Sequence, residues 1–340
     1  MVAKNKYNKY LTIVIPTYNA EAFMDKNLAS FLDKRLMDKG EILIINDGSL
    51  DRSGEKAREY ERKYPGYIRL IEKENGGHGS GINVGIREAK GKYFKVIDAD
   101  DWVHTDNLVK LLLECQSRDA DLLINPYIKV DESSGFEKIC GNYSKFPQNV
   151  LLPFRKLAAS DISLVLHSVT YKTCLLKDNN IRLTEKCFYE DFQYVLYPMP
   201  YIKTALLFDF PVYYYLVGQE EQSVNAEKAL KNVEMYVKVY ADSIKYLEKV
   251  SGELDRNSME YMNRCMCRYL RSLYNIFIRN GKQPYSYEKL QRVDKKVRQV
   301  SEYFYSRVGK ENVYISVMRK GNKRMLYLLC VIFNLRNTKK

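Results

Sequence analysis

The sequence predicts an α/β domain followed by a helical region, and two observations carry this prediction. Up to residue 125, short β-rich apolar runs alternate with polar, amphipathic stretches that have helical spacing. From Ala226 to Asn280, apolar side chains recur at helical spacing instead, as at Tyr269, Leu270 and Leu273. Strand–helix alternation with nearly unbroken apolar strands is typical of a largely parallel sheet that is covered on both faces.

The predicted strands are short apolar runs, namely LTIVI (11–15), EILIIN (41–46), YIRLIE (67–72), YFKVID (93–98) and ADLLIN (120–125). The aromatic run PVYYYLVG (211–218) is a further candidate strand. Residues 131–150 contain Gly, Ser, Asn and Pro, which predicts a loop. We therefore expect an α/β domain over residues 1–225 and a helical C-terminal region over residues 226–340.

Length and composition exclude several classes of protein. The 340 residues, with 46% hydrophobic and 29% charged side chains, are typical of a soluble globular chain. The seven cysteines are odd in number and contain no CxxC pair, so neither a disulfide framework nor a zinc ribbon is indicated. LTIVI is too short for a signal-peptide core, and no segment approaches the ~18 apolar residues of a membrane span. We therefore expect a cytoplasmic protein.

The positive charge is concentrated at the C-terminus. The formal net charge is +13, and residues 312–340 contain seven basic residues and no Asp or Glu. The apolar run MLYLLCVIF (325–333) lies between these basic residues. A basic amphipathic helix can lie on the inner face of the cell membrane as a peripheral anchor. The alternative is a C-terminal helix that packs on the body of the protein with its charges solvated, and the sequence leaves both open.

Polar residues follow four of the predicted strands, in PTYNAE (16–21), NDGSLD (46–51), NGGHGSGIN (75–83) and DADDW (98–102). Parallel sheets bind ligands outside the carboxyl ends of their strands, so these residues are expected along one edge. Turn chemistry alone explains Gly and Asn after any single strand, but four such segments together favour a ligand site. The edge is acidic, which argues against nucleic-acid binding.

The residue types at this edge suit a nucleoside diphosphate. Asp47 could hydrogen-bond the edge of a base, and Glu21 and Asp98 could accept from ribose hydroxyls. Asp98 and Asp100 are one residue apart, and such a pair can hold a hard cation that also binds phosphate oxygens. Neither the P-loop pattern nor GxGxxG occurs in the third loop, so those two modes of nucleotide binding are not indicated.

The order of these motifs resembles the inverting glycosyltransferases of family 2, which have a GT-A fold. The resemblance rests on IPTYN (15–19), INDGS with Asp51 (45–51), NGG…N-x-G (75–85), DADDW, YEDF (189–192) and YYYLVGQEEQSVN (213–225). It covers roughly residues 10–225. It implies a nucleotide-binding half at about 10–130 and an acceptor half at about 131–225.

The resemblance also implies a role for each matching residue. Asp47 would read the base, usually uracil, Asp100 would bind the metal ion directly with Asp98 nearer the ribose, and Asp191 would be the catalytic base. The remaining residues of the implied nucleotide-sugar site are Pro16, Thr17, Asn19, Glu21, Gly77, His78 and Asn83.

The sequence departs from the family pattern at Gly81-Ile82-Asn83, where members often have Ala-Arg-Asn. An arginine that could face the diphosphate is therefore missing, and His78 and Ser80 are the candidate replacements. The Gln-x-x-Arg-Trp motif of processive members is also absent, which implies transfer of one sugar per event. His167 is interpreted as a buried histidine or an acceptor-site residue, and Trp102 as a core or sugar-stacking residue.

The implied function is an inverting, Mg²⁺- or Mn²⁺-dependent transfer from a nucleotide sugar, in particular a UDP-hexose or UDP-N-acetylhexosamine, to a glycan or lipid-linked acceptor. One alternative is a sugar nucleotidyltransferase, which would need a Gly-rich loop with a basic residue where PTYNAE stands. Others are a basic module that binds anionic surfaces without catalysis, and a glycosyltransferase-like protein that has lost activity. The retained Asp100 and Asp191 argue against the last.

Overall fold

A computed structural model describes residues 7–218, 226–283 and 285–337, with the backbone alone for 334–337. Contacts divide the chain into two compact units, Met1–Gln219 and Glu220–Lys340. The expected boundary after residue 225, and the Gln-Ser part of the 213–225 motif, fall on residues 219–225, which lie outside the described residues. The boundary therefore stays a prediction.

Among the described residues, the first unit contains twelve strands: β1 (Lys9–Thr17), β2 (Gly40–Asn46), β3 (Ile68–Glu72), β4 (Gly91–Val96), β5 (Trp102–Val103), β6 (Leu122–Ile124), β7 (Tyr127–Asp131), β8 (Glu137–Cys140), β9 (Leu152–Pro153), β10 (Val169–Lys172), β11 (Thr204–Leu207) and β12 (Tyr213–Val217). Eight of them form one sheet in the order β3-β2-β1-β4-β10-β6-β11-β9. The other four form a small sheet in the order β5-β12-β7-β8.

The strands β1 to β4 are adjacent and parallel, so their carboxyl ends share one edge of the large sheet. Every residue of β2 is buried, because the strand has a neighbouring strand on each side and both of its faces are covered. This burial explains why the strand is a continuous apolar run. Beyond β4 the sheet becomes mixed, since β10 runs antiparallel to both β4 and β6. The α/β fold with strand ends on a common edge is confirmed.

The helices of the first unit connect these strands: α1 (Glu21–Ala29), α2 (Lys34–Met37), α3 (Ser53–Lys63), α4 (His78–Glu88), α5 (Thr105–Ser117), α6 (Phe154–Ala158), α7 (Thr173–Asp178) and α8 (Asp191–Leu196), with 3₁₀ turns at Leu166–Ser168 and Met199–Tyr201. Helix α4 lies very close to β1, since a Cβ added at Gly85 would be 2.4 Å from Val14 Cγ1. The helix that begins in the third strand-end loop is thus fixed against the first strand.

Two parts of the unit differ from the sequence prediction. The prediction of a loop over 131–150 is wrong at Glu137–Cys140, which is strand β8. This strand pairs only with β7 at the edge of the small sheet and is largely exposed, so its sequence does not need an apolar run. The predicted strand in 211–218 exists as β12, but it belongs to the small sheet.

The second unit is helical, as predicted: α9 (Ala226–Lys231), α10 (Val233–Val250), α11 (Arg256–Arg279), α12 (Ser286–Val300), α13 (Glu302–Glu311), α14 (Val313–Lys320) and α15 (Lys323–Asn337), with a 3₁₀ turn at Ser251–Glu253. Arg319 of α14 is buried and forms an ion pair with Asp294 of α12 at 2.9 Å. It also donates to the hydroxyl of Tyr274 on α11 at 2.7 Å, which joins three helices through one guanidinium.

Helix α15 has one buried side and one exposed apolar side. Leu326, Leu329 and Cys330 are buried. The side chains of Met325, Tyr327 and Leu328 are 38%, 51% and 50% exposed. Within the part of the chain that the structure describes, none of the helices is both long enough and apolar enough to cross a bilayer. Lys339 and Lys340 lie outside the described residues.

Candidate active site

The loops that follow β1 and β2 are held together by their own polar groups. Asn19 has a left-handed backbone (φ 49°), and its Oδ1 accepts from the backbone N–H of Leu50 at 2.8 Å. Its backbone N–H donates to Ser49 Oγ at 3.0 Å. Glu21 Oε2 accepts from the backbone N–H of Arg52 at 3.1 Å. Asn19 and Glu21, which are predicted to belong to the nucleotide-sugar site, therefore lie beside the second loop. Their contact with a ligand stays a prediction.

Pro16 and Thr17 form the end of β1. Pro16 packs under the start of α4, where a Cβ on Gly81 would lie 3.0 Å from Pro16 Cβ. Thr17 is buried, and its hydroxyl donates back to the carbonyl of Ile15 at 3.0 Å. These contacts fix the end of β1 between the first and third strand-end loops.

Asp47 organises the glycine-rich third loop. Its carboxylate is buried, with Oδ1 accepting from Gly76 N–H at 2.9 Å and Oδ2 from Gly77 N–H at 2.7 Å. Lys73 Nζ forms an ion pair with the same carboxylate. Charge-assisted bonds of this kind are among the stronger hydrogen bonds in proteins. Asp47 therefore shapes the loop, and its predicted role in reading the base stays a prediction.

His78, the first residue of α4, bridges two carboxylates. Its Nε2 lies 2.9 Å from Asp98 Oδ1, and its Nδ1 lies 2.8 Å from Glu190 Oε1. Burial lowers the pKa of His78, but the hydrogen bonds to Asp98 and Glu190 outweigh burial and raise it well above its ordinary value. At neutral pH an imidazolium therefore joins the end of β4 to the start of α8.

The three aspartates after β4 have different surroundings. Asp101 is buried, and its oxygens accept from the Tyr213 hydroxyl at 2.6 Å and from the Leu216 N–H at 2.7 Å. Asp98 is half-buried, with Oδ2 3.2 Å from the same hydroxyl. Asp100 is also half-buried. Asp101 thus ties the turn to β12, while Asp98 and Asp100 are more accessible to a ligand.

A candidate divalent-metal site lies at this turn. Asp98, Asp101 and His167 each offer a ligand atom, and these atoms lie within 4.8 Å of one another. Among the described residues, the buried Nδ1 of His167 has no hydrogen-bond partner. Burial lowers the pKa of His167 to about 4, so the imidazole is neutral at pH 7 and can bind a cation. Two carboxylates and an imidazole suit a divalent first-row metal ion.

Asp191 begins α8 at the same edge. Its side chain reaches solvent, but the protein atoms around the carboxyl displace water, and with the charge of Glu190 this raises the pKa of Asp191 to about 6. The charges of His78 and Asp98 also act on this pKa, in opposite directions. A carboxylate with a raised pKa is suited to accept a proton from a hydroxyl.

Hydrogen bonds join Asp47 to Gly77 and His78 to Asp98, and the structure adds three residues that sequence reasoning did not assign to the donor or metal site. Glu190 anchors His78, Tyr213 anchors the acidic turn, and His167 completes the candidate metal cluster. Only the Glu-Asp pair of YEDF gave a sequence signal for Glu190. Together these features define an α/β protein with an acidic ligand site at the carboxyl ends of parallel strands.

The family of this domain follows from its sequence. Residues 12–172 match the sequence model of the family described as "Glycosyl transferase family 2". The matched segment includes the four strand-end loops and the candidate metal cluster, and it ends before Glu190 and Asp191. The chain therefore carries a glycosyltransferase domain, of which residues 12–172 match this family.

Curated relatives agree with this assignment. The chain is 37% identical over 113 residues to "Uncharacterized glycosyltransferase EpsJ" of Bacillus subtilis (strain 168), covering 33% of this chain and 32% of that protein. It is 33% identical over 129 residues to "Glycosyltransferase GlyG" of Streptococcus pneumoniae serotype 4, covering 38% and 42%. It is 29% identical over 211 residues to "Teichoic acid poly(glycerol phosphate) polymerase" of Staphylococcus epidermidis, covering 60% and 28%. The chain thus spans less than half the length of each of these relatives.

Solved structures share the fold at low sequence identity. Residues 1–349 of S. aureus TarS in complex with UDP-GlcNAc match with a TM-score of 0.63 and 17% identity, over 96% of this chain and 92% of that chain. The mannosyltransferase PcManGT from Pyrobaculum calidifontis, in complex with GDP-Man and Mn²⁺, matches with a TM-score of 0.51 and 14% identity, over 98% and 88%. The predicted GT-A-type α/β domain followed by helices is confirmed.

Proposed function

We propose that this chain is an inverting glycosyltransferase that moves one sugar at a time from a UDP-sugar to a hydroxyl of a glycan or lipid-linked acceptor. The observation that carries the proposal is the separation of two acidic functions at one sheet edge. Asp98 and Asp100 follow β4, and Asp191 stands apart at the start of α8. Sugar transfer of this kind needs a carboxylate that accepts a proton and a separate site that stabilises the leaving diphosphate.

We assign the binding site of the nucleotide-sugar donor to the strand-end loops. The residues proposed to line its site are Pro16, Thr17, Asn19, Glu21, Asp47, Gly77, His78, Asn83 and Asp98. His78 takes the place of the arginine that is missing from Gly81-Ile82-Asn83, because an imidazolium there would face the negative charge of the diphosphate. Because Asp98 and Glu190 use both ring nitrogens, His78 would act on the diphosphate through its charge.

Asp98, Asp100 and His167 are proposed as ligands of a divalent cation. Asp101 lies within reach as well, and its oxygens accept from the hydroxyl of Tyr213 and the backbone N–H of Leu216. Burial and the nearby aspartates also raise the pKa of Asp101 well above its ordinary value, which disfavours the ionised form that a metal needs. When bound, Mn²⁺ or Mg²⁺ would neutralise charge on the leaving diphosphate. Because one of the proposed ligands is an imidazole, the site favours Mn²⁺ over Mg²⁺.

Asp191 is proposed as the base. It takes the proton of the acceptor hydroxyl while that oxygen forms a bond to the anomeric carbon. The bond from the anomeric carbon to the diphosphate oxygen breaks on the opposite side, so the configuration inverts. Because the pKa of Asp191 is raised to about 6, the carboxylate is ionised at pH 7 and is a stronger base than an ordinary aspartate.

The comparisons support the class of donor and product. The TarS structure contains UDP-GlcNAc, and the PcManGT structure contains GDP-Man and Mn²⁺. One relative is described as a teichoic acid polymerase. A nucleotide-sugar donor and a cell-surface polysaccharide product are therefore proposed for this chain as well.

A donor panel tests this function. The full chain is incubated with UDP-Glc, UDP-Gal, UDP-GlcNAc, UDP-GalNAc or GDP-Man, with and without Mn²⁺, and the released nucleoside diphosphate is measured. We expect metal-dependent release from one UDP-sugar and its loss in Asp100→Ala. The control Asp106→Ala, an exposed aspartate on α5 that pairs with Arg35, should retain wild-type release. If no sugar nucleotide is bound or turned over, the proposed function is wrong.

We also propose that the exposed side of α15 docks on an anionic lipid surface. Met325, Tyr327 and Leu328 form its apolar part. Residues 312–340 contain no Asp or Glu, and because Arg319 is paired with Asp294, the remaining six positive charges come from Lys320, Lys323, Arg324, Arg336, Lys339 and Lys340. Apolar side chains together with basic residues are the combination that binds the headgroup region of anionic membranes.

Vesicle flotation tests the docking surface. The full chain should float with vesicles that contain phosphatidylglycerol and remain unbound with phosphatidylcholine alone. The triple variant Met325→Ser/Tyr327→Ser/Leu328→Ser should lose flotation. The control Phe136→Ser/Ile139→Ser, which removes exposed apolar side chains from the first unit, should keep it. Equal flotation of both variants would rule out this surface as the membrane contact.

A further inference from the structure

The segment of residues 183–190, which we call the base loop, leads directly into Asp191 and lies against the start of α4. Asn83 of α4 makes three hydrogen bonds to it. Asn83 Oδ1 accepts from Leu183 N–H at 2.8 Å, and Nδ2 donates to the Leu183 carbonyl and to Glu185 Oε1, both at 3.0 Å. Both amide hydrogens of Asn83 are therefore used by the base loop.

The glycines before Asn83 allow the base loop to approach α4. A Cβ on Gly79 would lie 2.7 Å from Glu190 Cγ and 2.7 Å from the carbonyl of Thr184. The carbonyl of Gly76 accepts from Lys186 N–H at 2.6 Å. Contacts this short leave no room for a side chain. Packing against the base loop thus explains glycine at position 79.

A second clamp holds the other side of the loop. Gln193 of α8 is buried, and its Oε1 accepts from Thr184 N–H at 2.7 Å while its Nε2 donates to Thr184 Oγ1 at 2.9 Å. Within the loop, Lys186 and Tyr189 have positive φ values of 56° and 75°. Non-glycine residues in this region are strained and persist only where surrounding contacts hold them. The base loop therefore depends on its clamps for its conformation.

We infer that Asn83 is a positioning residue for Asp191: it holds the base loop in the conformation that places this carboxylate at the acceptor hydroxyl. This inference rests on the proposed function, and it moves Asn83 from donor binding to alignment of the base. A small displacement of a reacting group costs as much as 10²-fold in rate.

Kinetics and donor binding test this role in Asn83→Ala. We expect kcat for sugar transfer to fall by about 10- to 100-fold, with the Kd for UDP by calorimetry changed by no more than about twofold. The control is Asn179→Ala, since Asn179 also donates its amide to a backbone carbonyl (Leu175, 2.8 Å) but does so at the end of α7. It should keep the wild-type kcat. A raised Kd with unchanged kcat in Asn83→Ala would make Asn83 a donor contact and overturn the inference.

A compensating pair separates alignment from general loss of folding. Asn83→Asp removes both donated bonds and sets a carboxylate beside Glu185, so kcat should fall as in Asn83→Ala. Adding Glu185→Gln supplies an amide that can donate to the new carboxylate. The kcat of the double variant should be at least threefold higher than that of Asn83→Asp, which corresponds to about 0.6 kcal/mol. No recovery would contradict the inference.

Hydrogen exchange gives a readout that does not need activity. The Leu183 N–H is bonded to Asn83, so peptides covering the base loop should exchange faster in Asn83→Ala than in wild type or Asn179→Ala. Unchanged exchange in Asn83→Ala would overturn the inference, whether or not the variant is active. An inactive wild type with faster exchange in Asn83→Ala would leave the clamp standing and overturn the proposed function instead.

Discussion

At the residue scale, the surroundings of Asp191 set the pH range in which it can act as a base. Loss of water around the carboxyl and the neighbouring Glu190 raise its pKa to about 6. A base accepts a proton only while it is ionised. Because the pKa is raised, Asp191 is ionised above about pH 6 and becomes protonated as the pH falls through this value.

The rate of transfer should follow this ionisation. With saturating substrates, we expect kcat to be constant above the pKa of Asp191 and to fall by about tenfold per pH unit below it. Asp191→Asn should lower kcat by about 10²- to 10⁴-fold and remove this acid limb, while UDP binding is retained. A wild-type kcat that does not fall below about pH 6 would contradict the assignment of Asp191 as the base.

Some site residues could be predicted from sequence and others could not. Asp98, Asp100 and Asp191 are candidates from the sequence because they follow a strand or match a motif. The bond between His78 and Glu190 joins residues 112 positions apart, and so does the bond between Tyr213 and Asp101. Only the fold brings such pairs together, and no local spacing indicates them.

At the scale of elements, Lys95 ties strand β4 to strand β10. Its side chain is fully buried, and Nζ donates to the carbonyls of His167 at 3.0 Å and Val169 at 3.3 Å. Burial lowers the pKa of Lys95 to about 7. Through these bonds, a strand of the parallel half fixes the backbone of the candidate metal ligand His167.

The free energy of unfolding should depend on pH through Lys95. In the window above pH 7, the unfolded chain keeps the lysine proton that the folded chain has released, so stability rises with pH by up to ~1.4 kcal/mol per unit. Lys95→Met should remove this contribution. Urea unfolding at about pH 7 and about pH 9 would show a smaller rise in the variant than in wild type. Equal rises would contradict a buried, neutral Lys95.

The contact between α4 and β1 depends on the absence of a side chain at Gly85. A Cβ there would be 2.4 Å from Val14 Cγ1, so Gly85→Ala should lower the free energy of unfolding by about 1–3 kcal/mol. Gly252→Ala is the control, because its Cβ would meet no atom within 4 Å. Denaturant unfolding measures both. A wild-type stability in Gly85→Ala would mean that α4 is not packed on β1 as described.

The elements that sequence reasoning found are those with long apolar runs. Strands β1 to β4 are five to nine residues long, and β1, β2 and β4 are almost wholly buried. The strands that escaped prediction include β9, β10 and β11, which have only two to four residues. Such short strands are stabilised by partners distant in sequence, so their own residues show no periodicity.

Across the whole molecule, charge is unevenly distributed along the chain. The net charge is +13, yet the edge proposed to bind the donor carries Asp47, Asp98, Asp100, Asp101, Glu190 and Asp191. We therefore expect a cation and the His78 imidazolium to offset this negative charge when a diphosphate binds. Seven basic residues and no Asp or Glu lie after residue 312, so the rest of the chain is only mildly basic.

A single displacement at the anomeric carbon, with Asp191 as base, inverts the configuration of the sugar, so the anomer that is released first distinguishes it from other mechanisms. Water can replace the acceptor, so the slow hydrolysis of a UDP-α-sugar is followed by proton NMR before the free sugar equilibrates. We expect the β-anomer to appear first and Asp191→Asn to release it far more slowly. Initial release of the α-anomer would exclude a single displacement with Asp191 as base.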